Sequence, residues 1–486
     1  MKRVVVVGGG VGGLVAAALL AARGLAVTVL EAADQLGGKA GTHTVDGVRF
    51  DTGPSVLTMP DVFEAVFRDL GVDPASAMTL VRPEPAFRYV WPDGVILDVF
   101  DDPTRTAAEV RRVLGSDAET QFVAFLRYAE RIWEAAGPRF VRGPAPSFTG
   151  MMSMSALVDL TKIDPLHTMG SAIRSRVQEP HLRDLLLRYA TYNGSDPRRA
   201  PATLNCIAWV ELGLGGYGVK GGIAALVDAL VLASRRFDVD YRTNVPVRGL
   251  ARDATGRVIG AHTDAGLVPA DVVISNAEAS IATGWVGRTS PTPSSTSGWN
   301  AVLRATRQER VAHTVLFPKA YDREFVDLFD HDRPPEDPTV YLCAQGPAHQ
   351  NPGWPDAEVL FVMANTPPEP TTPRDATTWD PLRERVLARV RANGLCAPTD
   401  PIVWERSPAG LAARFPGSRG ALYGAASNDP TAAFRRPANR VPGVPGLYLA
   451  TGTAHPGGGL PLVALSGRAA ADAACSDLNV PMESRR

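Results

Sequence analysis

The chain has 486 residues, 45% of them hydrophobic and 21% charged, with a formal net charge of -1. That composition is globular and excludes disorder, collagen and coiled coil, while the length excludes a single small module. The charge balance argues against nucleic-acid binding, which needs a concentrated basic surface.

Lys2 and Arg3, followed by the uncharged run from Val4 to Ala22, look at first like the basic end and apolar stretch of a signal peptide, or like a membrane span. Two features decide against both. The run is split by Gly8-Gly9-Gly10-Val11-Gly12-Gly13, and a second strand-like run, Ala26-Val27-Thr28-Val29-Leu30, follows and ends in Glu31. The pattern predicts a strand over 4–7, a helix over 14–22 and a strand over 26–30. In such a unit Gly8, Gly10 and Gly13 turn the chain tightly, and the backbone of the turn, including Val11 and Gly12, can approach a pyrophosphate. Glu31 at the tip of the second strand is placed to accept hydrogen bonds from the ribose hydroxyls of an adenosine, and an acid there disfavours NADP. A dinucleotide site is therefore expected.

After Glu31 come Ala32-Ala33-Asp34-Gln35-Leu36-Gly37-Gly38-Lys39 and then Phe50-Asp51-Thr52-Gly53-Pro54-Ser55, which a simple NAD site does not need. The Gly pair lets backbone pass close to a ligand, and Lys39 is suited to neutralise a pyrophosphate or a flavin edge. Alone, the segment also reads as an ordinary turn with a solvated lysine. Lysine occurs at only five positions, which makes Lys39 and Lys220, each beside a Gly pair, stand out.

Val62, Phe63, Val66, Phe67 and Leu70 share one face of a helix over 60–70, with Gly71 as its stop. Residues 87–100 read as a β-hairpin with an Asp93-Gly94 turn, which begins a second sheet. The stretch 103–200 is mostly helical in pattern. Within it Met151, Met152 and Met154 open the apolar run 156–160, which suits an adaptable tunnel or a membrane-touching face as well as an ordinary helical core. Arg139, Arg142, Arg174 and Arg176 nearby are suited to lipid head groups or to a solvated face. A helix is expected over 223–233, strands over 239–247 and 257–263, and a Ser/Thr/Pro-rich loop over 289–298.

His455-Pro456-Gly457-Gly458-Gly459-Leu460-Pro461 leads into a helical run over 462–474. Pro461 sits where a missing N–H does no harm, and the free N–H groups of that first turn would stabilise negative charge on a bound ligand. His455 reads either as a base or as a turn histidine bonded to nearby backbone. Cys206, Cys343, Cys396 and Cys475 are scattered, with no CxxC and no nearby histidine, so neither a metal site nor a disulfide framework is expected. A reducing cytoplasm fits best.

Several of these segments carry a family resemblance that spans nearly the whole chain. They are the opening glycine turn, the acid followed by Gly37-Gly38, and Asp51-Thr52-Gly53-Pro54. Further along come 192–197 (Tyr-Asn-Gly-Ser-Asp-Pro), Glu211 with 215–222, 271–277 with Asn276, and 446–461 with Gly452. Together they resemble the phytoene desaturase family of FAD flavoproteins, relatives of the amine oxidases. The run 52–60 and Lys39 look most like its hydroxycarotenoid 3,4-desaturase branch.

The resemblance implies an α/β fold in which a Rossmann-type FAD-binding domain is interleaved with a mixed-sheet substrate domain and a helical, membrane-facing subdomain. The expected division is 1–80, 206–288 and 436–486 for FAD, 81–102 and 289–435 for substrate, and 103–205 for the helical access region. FAD would be held by Gly8, Gly10, Val11, Gly12, Gly13, Glu31, Ala32, Gly38, Lys39, Gly53, Pro54, Ser55, Val245, Asn276, Gly452, Leu460 and Pro461, with the backbone of Val245 meeting the adenine. The expected partners are a carotenoid and the cytoplasmic face of a membrane, to which the enzyme would attach peripherally. The acceptor that reoxidises the flavin, oxygen or a quinone, is left open. Glu211, Tyr217, His455 and water are the candidates for taking a proton. A phytoene or carotene desaturase, a carotenoid isomerase and a non-enzymatic prenyl-protein escort protein remain alternatives.

Overall fold

The computed structural model describes residues 1–145, 163–372, 374–429 and 431–482. The run of Met151, Met152 and Met154 and the apolar stretch 156–160 lie outside the described residues.

A five-stranded parallel sheet is built from Arg3–Val7, Ala26–Leu30, Asp240–Arg242, Val272–Ser275 and Leu447–Leu449. The first strand is central: Val5 pairs with Thr28 on one side and with Val273 on the other. The strand order therefore reverses at its carboxyl end, where open α/β sheets bind ligands. The helix Val11–Ala22 starts earlier than the sequence pattern suggested, taking in Gly12 and Gly13, and all twelve of its residues are buried. It is sandwiched by the sheet, the helix Ile223–Arg235 and the helix Leu460–Leu478. Burial on every side explains why this stretch is apolar all round, the property that made it look like a membrane span.

The second sheet has seven strands, mostly antiparallel. Its order runs Ile402–Arg406, Ser297–Thr306, Ala357–Thr366, Val340–Ala344, His313–Leu316, Phe87–Val90, Ile96–Val99. The hairpin at 87–99 forms as its sequence suggests, with Gly94 at φ 90° in the turn. Helices Pro103–Leu114, Ser116–Ala136, Met169–Arg176 and Pro180–Leu187 share one apolar core with this sheet, to which they contribute Val110, Phe125, Ile173 and Leu186. The nucleotide sheet draws on three separated stretches of chain and the second sheet on two, so the two layers are interleaved along the sequence.

One strand expectation is corrected. The segment 239–247 is not continuous: Asp240–Arg242 joins the nucleotide sheet, whereas Val247–Arg252 pairs with Val258–Thr263 in a separate three-stranded sheet. Asn244 at φ 57°, a left-handed conformation that strands do not tolerate, makes the break. Among the described residues no helix is long and apolar enough to cross a membrane. Arg142, Arg174 and Arg176 pair with Asp61, Asp322 and Asp164.

Candidate active site

The glycine turn is fixed from three directions. Its Gly9 amide donates to Glu31 Oε2 at 2.7 Å, and Glu31 Oε1 accepts the Ala33 amide at 2.8 Å. Gly10 N–H donates to Asn276 Oδ1 at 2.9 Å, while Asn276 Nδ2 donates to the Ala450 carbonyl at 2.5 Å. The Gly37 amide donates to Gly9 O at 2.8 Å, and a Cβ at Gly38 would stand 3.1 Å from the Gly10 Cα. Val245 gives its amide to the Glu31 carbonyl at 2.8 Å, so it lies beside the acid with its N–H already used. Ala32 is exposed.

Close backbone approach explains the other glycines. A Cβ at Gly12 would overlap the Ala450 carbonyl oxygen, one at Gly13 the Gly8 oxygen, and one at Gly53 the Lys39 oxygen. The Gly53-Pro54-Ser55 loop therefore crosses directly over the Gly38-Lys39 segment. Lys39 itself is not left free. Its ammonium donates to the carbonyls of Ala421 and Leu422 at 3.0 and 3.1 Å and lies 3.4 Å from Glu278.

At the C-terminal end Gly452 accepts from Arg436 Nη1 at 2.9 Å, and Gly459 at φ 106° precedes the helix Leu460–Leu478, with Pro461 in its first turn. His455 is buried and its Nε2 meets the Gly143 carbonyl at 2.9 Å, so the imidazole is tied to backbone. Burial lowers its pKa, and nearby Arg436 adds to the effect.

The fit to FAD can be tested on the donors. Among the described residues the amides of Val11, Gly12 and Gly13, and those of Gly457, Gly458, Gly459 and Leu460, donate to no carbonyl or side chain. Helix N-termini leave such donors over, and their dipole favours negative charge. Two groups of unpaired amides, one in the glycine turn and one before the last helix, fit a pyrophosphate and the edge of a reduced flavin. The carboxylate of Glu31, with lone pairs to spare beyond its two amide partners, fits a ribose.

On the other side of the site, a buried polar cluster sits against the seven-stranded sheet. Glu211, on the helix Cys206–Leu212, accepts from the hydroxyls of Tyr189 at 2.9 Å and Tyr192 at 2.6 Å. Burial raises its pKa, against the pull of Arg188 and the two hydroxyls. Burial also pushes Tyr189 and Tyr192 well above the usual phenol value, which keeps both as donors. Tyr217 turns its hydroxyl back to the Leu214 carbonyl at 2.9 Å and pairs its backbone with Leu57. Glu211, Tyr217 and His455 share no hydrogen bond among the described residues.

Sequence reasoning passed over Arg188, Tyr89, Tyr189 and Tyr341 as site residues, since each is unremarkable in its own segment. In the sequence Asp51 reads only as part of a motif. Its carboxylate accepts the Ile223 and Ala224 amides at 2.5 and 3.1 Å, capping the helix Ile223–Arg235. A Cβ at Gly222 would reach 2.6 Å from Asp51 Oδ2, so the Gly221-Gly222 pair exists in part to admit this cap. The Asn193-to-Asp196 motif is likewise an anchor. Asn193 Nδ2 donates to Ser427 Oγ at 2.8 Å, and the Asp196 amide donates to Asn428 Oδ1 at 2.8 Å.

A parallel sheet with a glycine turn full of unpaired amides, facing a second sheet that carries a buried polar cluster, defines a two-layer dinucleotide-binding oxidoreductase. The chain belongs to the flavin-containing amine oxidoreductase family, whose pattern it matches over residues 11–475. It is 34% identical to a hydroxyneurosporene desaturase of Rubrivivax gelatinosus, over 100% of this chain and 95% of that one. It is 31% identical to a 4,4'-diapolycopene oxygenase of a Methylomonas species, with 98% and 99% covered. A carotenoid 3,4-desaturase of Haloarcula japonica is also 31% identical, with 98% of each covered. Among solved structures, putrescine oxidase superposes with a TM-score of 0.59 at 16% identity, over 98% of this chain and 99% of that one, and so shares the fold.

Proposed function

We propose that this protein is an FAD-dependent carotenoid desaturase that introduces a C=C bond at C-3,4 of a hydroxycarotenoid. Full-length likeness to proteins named hydroxyneurosporene desaturase and carotenoid 3,4-desaturase carries the reading. FAD, when bound, supplies a hydride acceptor at its N5. The amides of Val11, Gly12 and Gly13 would hold its pyrophosphate, Glu31 its ribose, and the turn from Gly457 to Leu460 its ring edge.

Loss of an allylic hydrogen as hydride leaves positive charge that the polyene itself delocalises, so the protein needs little acid–base power. A proton must still leave the neighbouring carbon. Of the three side-chain candidates, Glu211 suits this step best. Its two oxygens are reached through the hydroxyls of Tyr189 and Tyr192, which can relay a proton, and burial strengthens it as a base. The hydroxyl of Tyr217 and the imidazole of His455 are committed to carbonyls.

The substrate is insoluble in water, and the described residues include no membrane-spanning helix. The enzyme docks on a membrane surface and draws in one end of the carotenoid. Vesicle flotation tests this arm.

The reaction is tested by expression in cells that accumulate different carotenoid precursors, with product analysis by mass and absorption. The expected product from a 1-hydroxycarotenoid is lighter by two hydrogens and absorbs at longer wavelength. Conversion of phytoene alone would move the protein to the phytoene desaturases, and an unchanged mass to the isomerases. A gain of oxygen would place it with its oxygenase relative. A purified protein without a yellow flavin spectrum would favour the escort class.

A further inference from the structure

Arg188 stands out among the charges of this protein. It is only 7% exposed, and among the described residues its side chain donates to tyrosine hydroxyls and to no carboxylate. A buried charge with no direct counter-ion is expensive to keep, and arginine does not escape the cost by losing its proton. Two features offset the cost in part. The guanidinium lies 5.0 Å from the ring centre of Tyr192 and 5.7 Å from those of Phe87, Tyr89 and Tyr341. Four aromatic rings at these distances attract a cation. Glu211 adds a negative charge one residue further out, through Tyr192: Arg188 Nη1 donates to the Tyr192 hydroxyl at 3.0 Å, and that hydroxyl donates to Glu211 at 2.6 Å.

The hydrogen bonds of Arg188 are one-sided. Nη1 serves both the Tyr192 and the Tyr89 hydroxyls, the latter at 3.4 Å, while Nε and Nη2 donate to no described residue. A planar guanidinium has five donors in a fixed fork, and here the guanidinium carbon lies 5.0 to 5.7 Å from four aromatic ring centres while Nε and Nη2 stay unspent. That combination, flat apolar walls around unspent donors, suits the end of a long apolar molecule that carries an oxygen. A carboxylate is disfavoured, because Glu211 already supplies the negative charge of the cluster. A neutral hydroxyl or carbonyl oxygen is favoured.

Resting on the desaturase reading, we propose that Arg188 is the specificity residue that donates a hydrogen bond to the oxygen on the carotenoid end group, with Tyr192 and Tyr89 positioning its guanidinium. This accounts for a buried cation in a site whose chemistry, hydride loss from a polyene, has no need of one. It also gives the branch a structural basis. A polar anchor lets the enzyme tell an oxygenated end from a plain one, because a hydrogen-bonding site rejects an analogue that leaves its buried donors unpaired.

The test compares a 1-hydroxycarotenoid with the matching carotene that lacks the hydroxyl, using the full-length protein loaded with FAD. The quantity read is the ratio of kcat/KM for the two substrates. In Arg188→Leu this ratio is expected to fall by about 100-fold, the size of a hydrogen bond to a charged group. Tyr192→Phe, which keeps the ring and removes the hydroxyl, is expected to lower the ratio by about 10-fold, and Arg188→Lys to restore part of it. An unspoilt flavin spectrum and melting curve show that each variant folds, and if Arg188→Leu does not fold, Tyr192→Phe and Arg188→Lys decide the matter. A role confined to packing would lower both rates together, and a ratio left within about twofold of wild type overturns the proposal. If the wild type converts neither substrate, the desaturase reading falls and takes the proposal with it.

Discussion

Asn276 Oδ1 and the Gly10 amide, 266 residues apart in the chain, are joined by a hydrogen bond of 2.9 Å. The same side chain donates to the Ala450 carbonyl, so one amide group ties the glycine turn to the segment that leads into the last helix. That tie adds to the direct packing of the two helices, in which Gly12 lies against the Ala450 carbonyl and Gly467 against the Gly12 carbonyl.

Asn276→Ala is therefore expected to lower stability by about 1–2 kcal/mol, since it leaves the half-buried Gly10 N–H and the Ala450 carbonyl without this partner. It should weaken FAD binding as well. Asn276→Asp is expected to be worse on both counts despite its matching shape. A carboxylate cannot donate to the Ala450 oxygen, and it brings negative charge towards the place proposed for the pyrophosphate. Thermal melting and flavin content of the purified variants measure both effects. An Asp variant as stable and as yellow as wild type would show that the donor half of this bridge is dispensable.

Gly12 and Gly249 make a matched pair for the close-approach argument. A Cβ at Gly12 would overlap the Ala450 oxygen and lie 2.9 Å from Val463 Cγ1, so the helices Val11–Ala22 and Leu460–Leu478 would have to part. Gly12→Ala is expected to cost about 3 kcal/mol or more, because neither backbone has room to move. At Gly249 nothing lies within 4 Å of an added Cβ, and Gly249→Ala should stay within about 0.5 kcal/mol. Denaturant unfolding of the two variants separates steric need from mere glycine richness. Equal effects would mean that crowding at Gly12 is not what keeps it a glycine.

The nucleotide half of the candidate site is legible in the sequence because that half is local. The glycine turn, the helix after it and Glu31 fall within one short stretch, and each residue type follows from what backbone must do near a phosphate. The helix that ends the chain announced itself in the same way, through Gly459 and Pro461. The polar cluster on the second sheet was legible only through Glu211, because it is assembled from distant segments. Arg188, Glu211 and Tyr341 meet only when a helix, a second helix and a central strand are packed together, and no spacing rule links them. Lys39 shows the opposite failure. Its segment was recognisable, but its partners Glu278, Ala421 and Leu422 lie hundreds of residues away and decide where its charge goes. The break of the strand at Asn244 was missed because a single left-handed residue outweighs the β-forming tendency on either side of it.

Asp51 gives a prediction in which pH separates a cap from a mere contact. Burial pushes its carboxyl up to about 6, even though the Ile223 and Ala224 amides and Arg49 favour the charged form. In the unfolded chain an aspartate titrates near 3.9. Between about pH 4 and pH 6 the folded protein therefore keeps a proton that the unfolded chain has released, and the contribution of Asp51 to stability falls as pH rises through that window. Asp51→Asn cannot titrate, so it serves as the reference. The stability of wild type relative to Asp51→Asn is expected to fall by up to about 3 kcal/mol from pH 4 to pH 7, with most of the change complete by pH 6. Urea unfolding of both proteins across that range measures the difference directly. A flat difference, or one that grows with pH, would mean that the two amides and Arg49 outweigh burial, and that Asp51 enters the fold as a fully stabilised carboxylate cap.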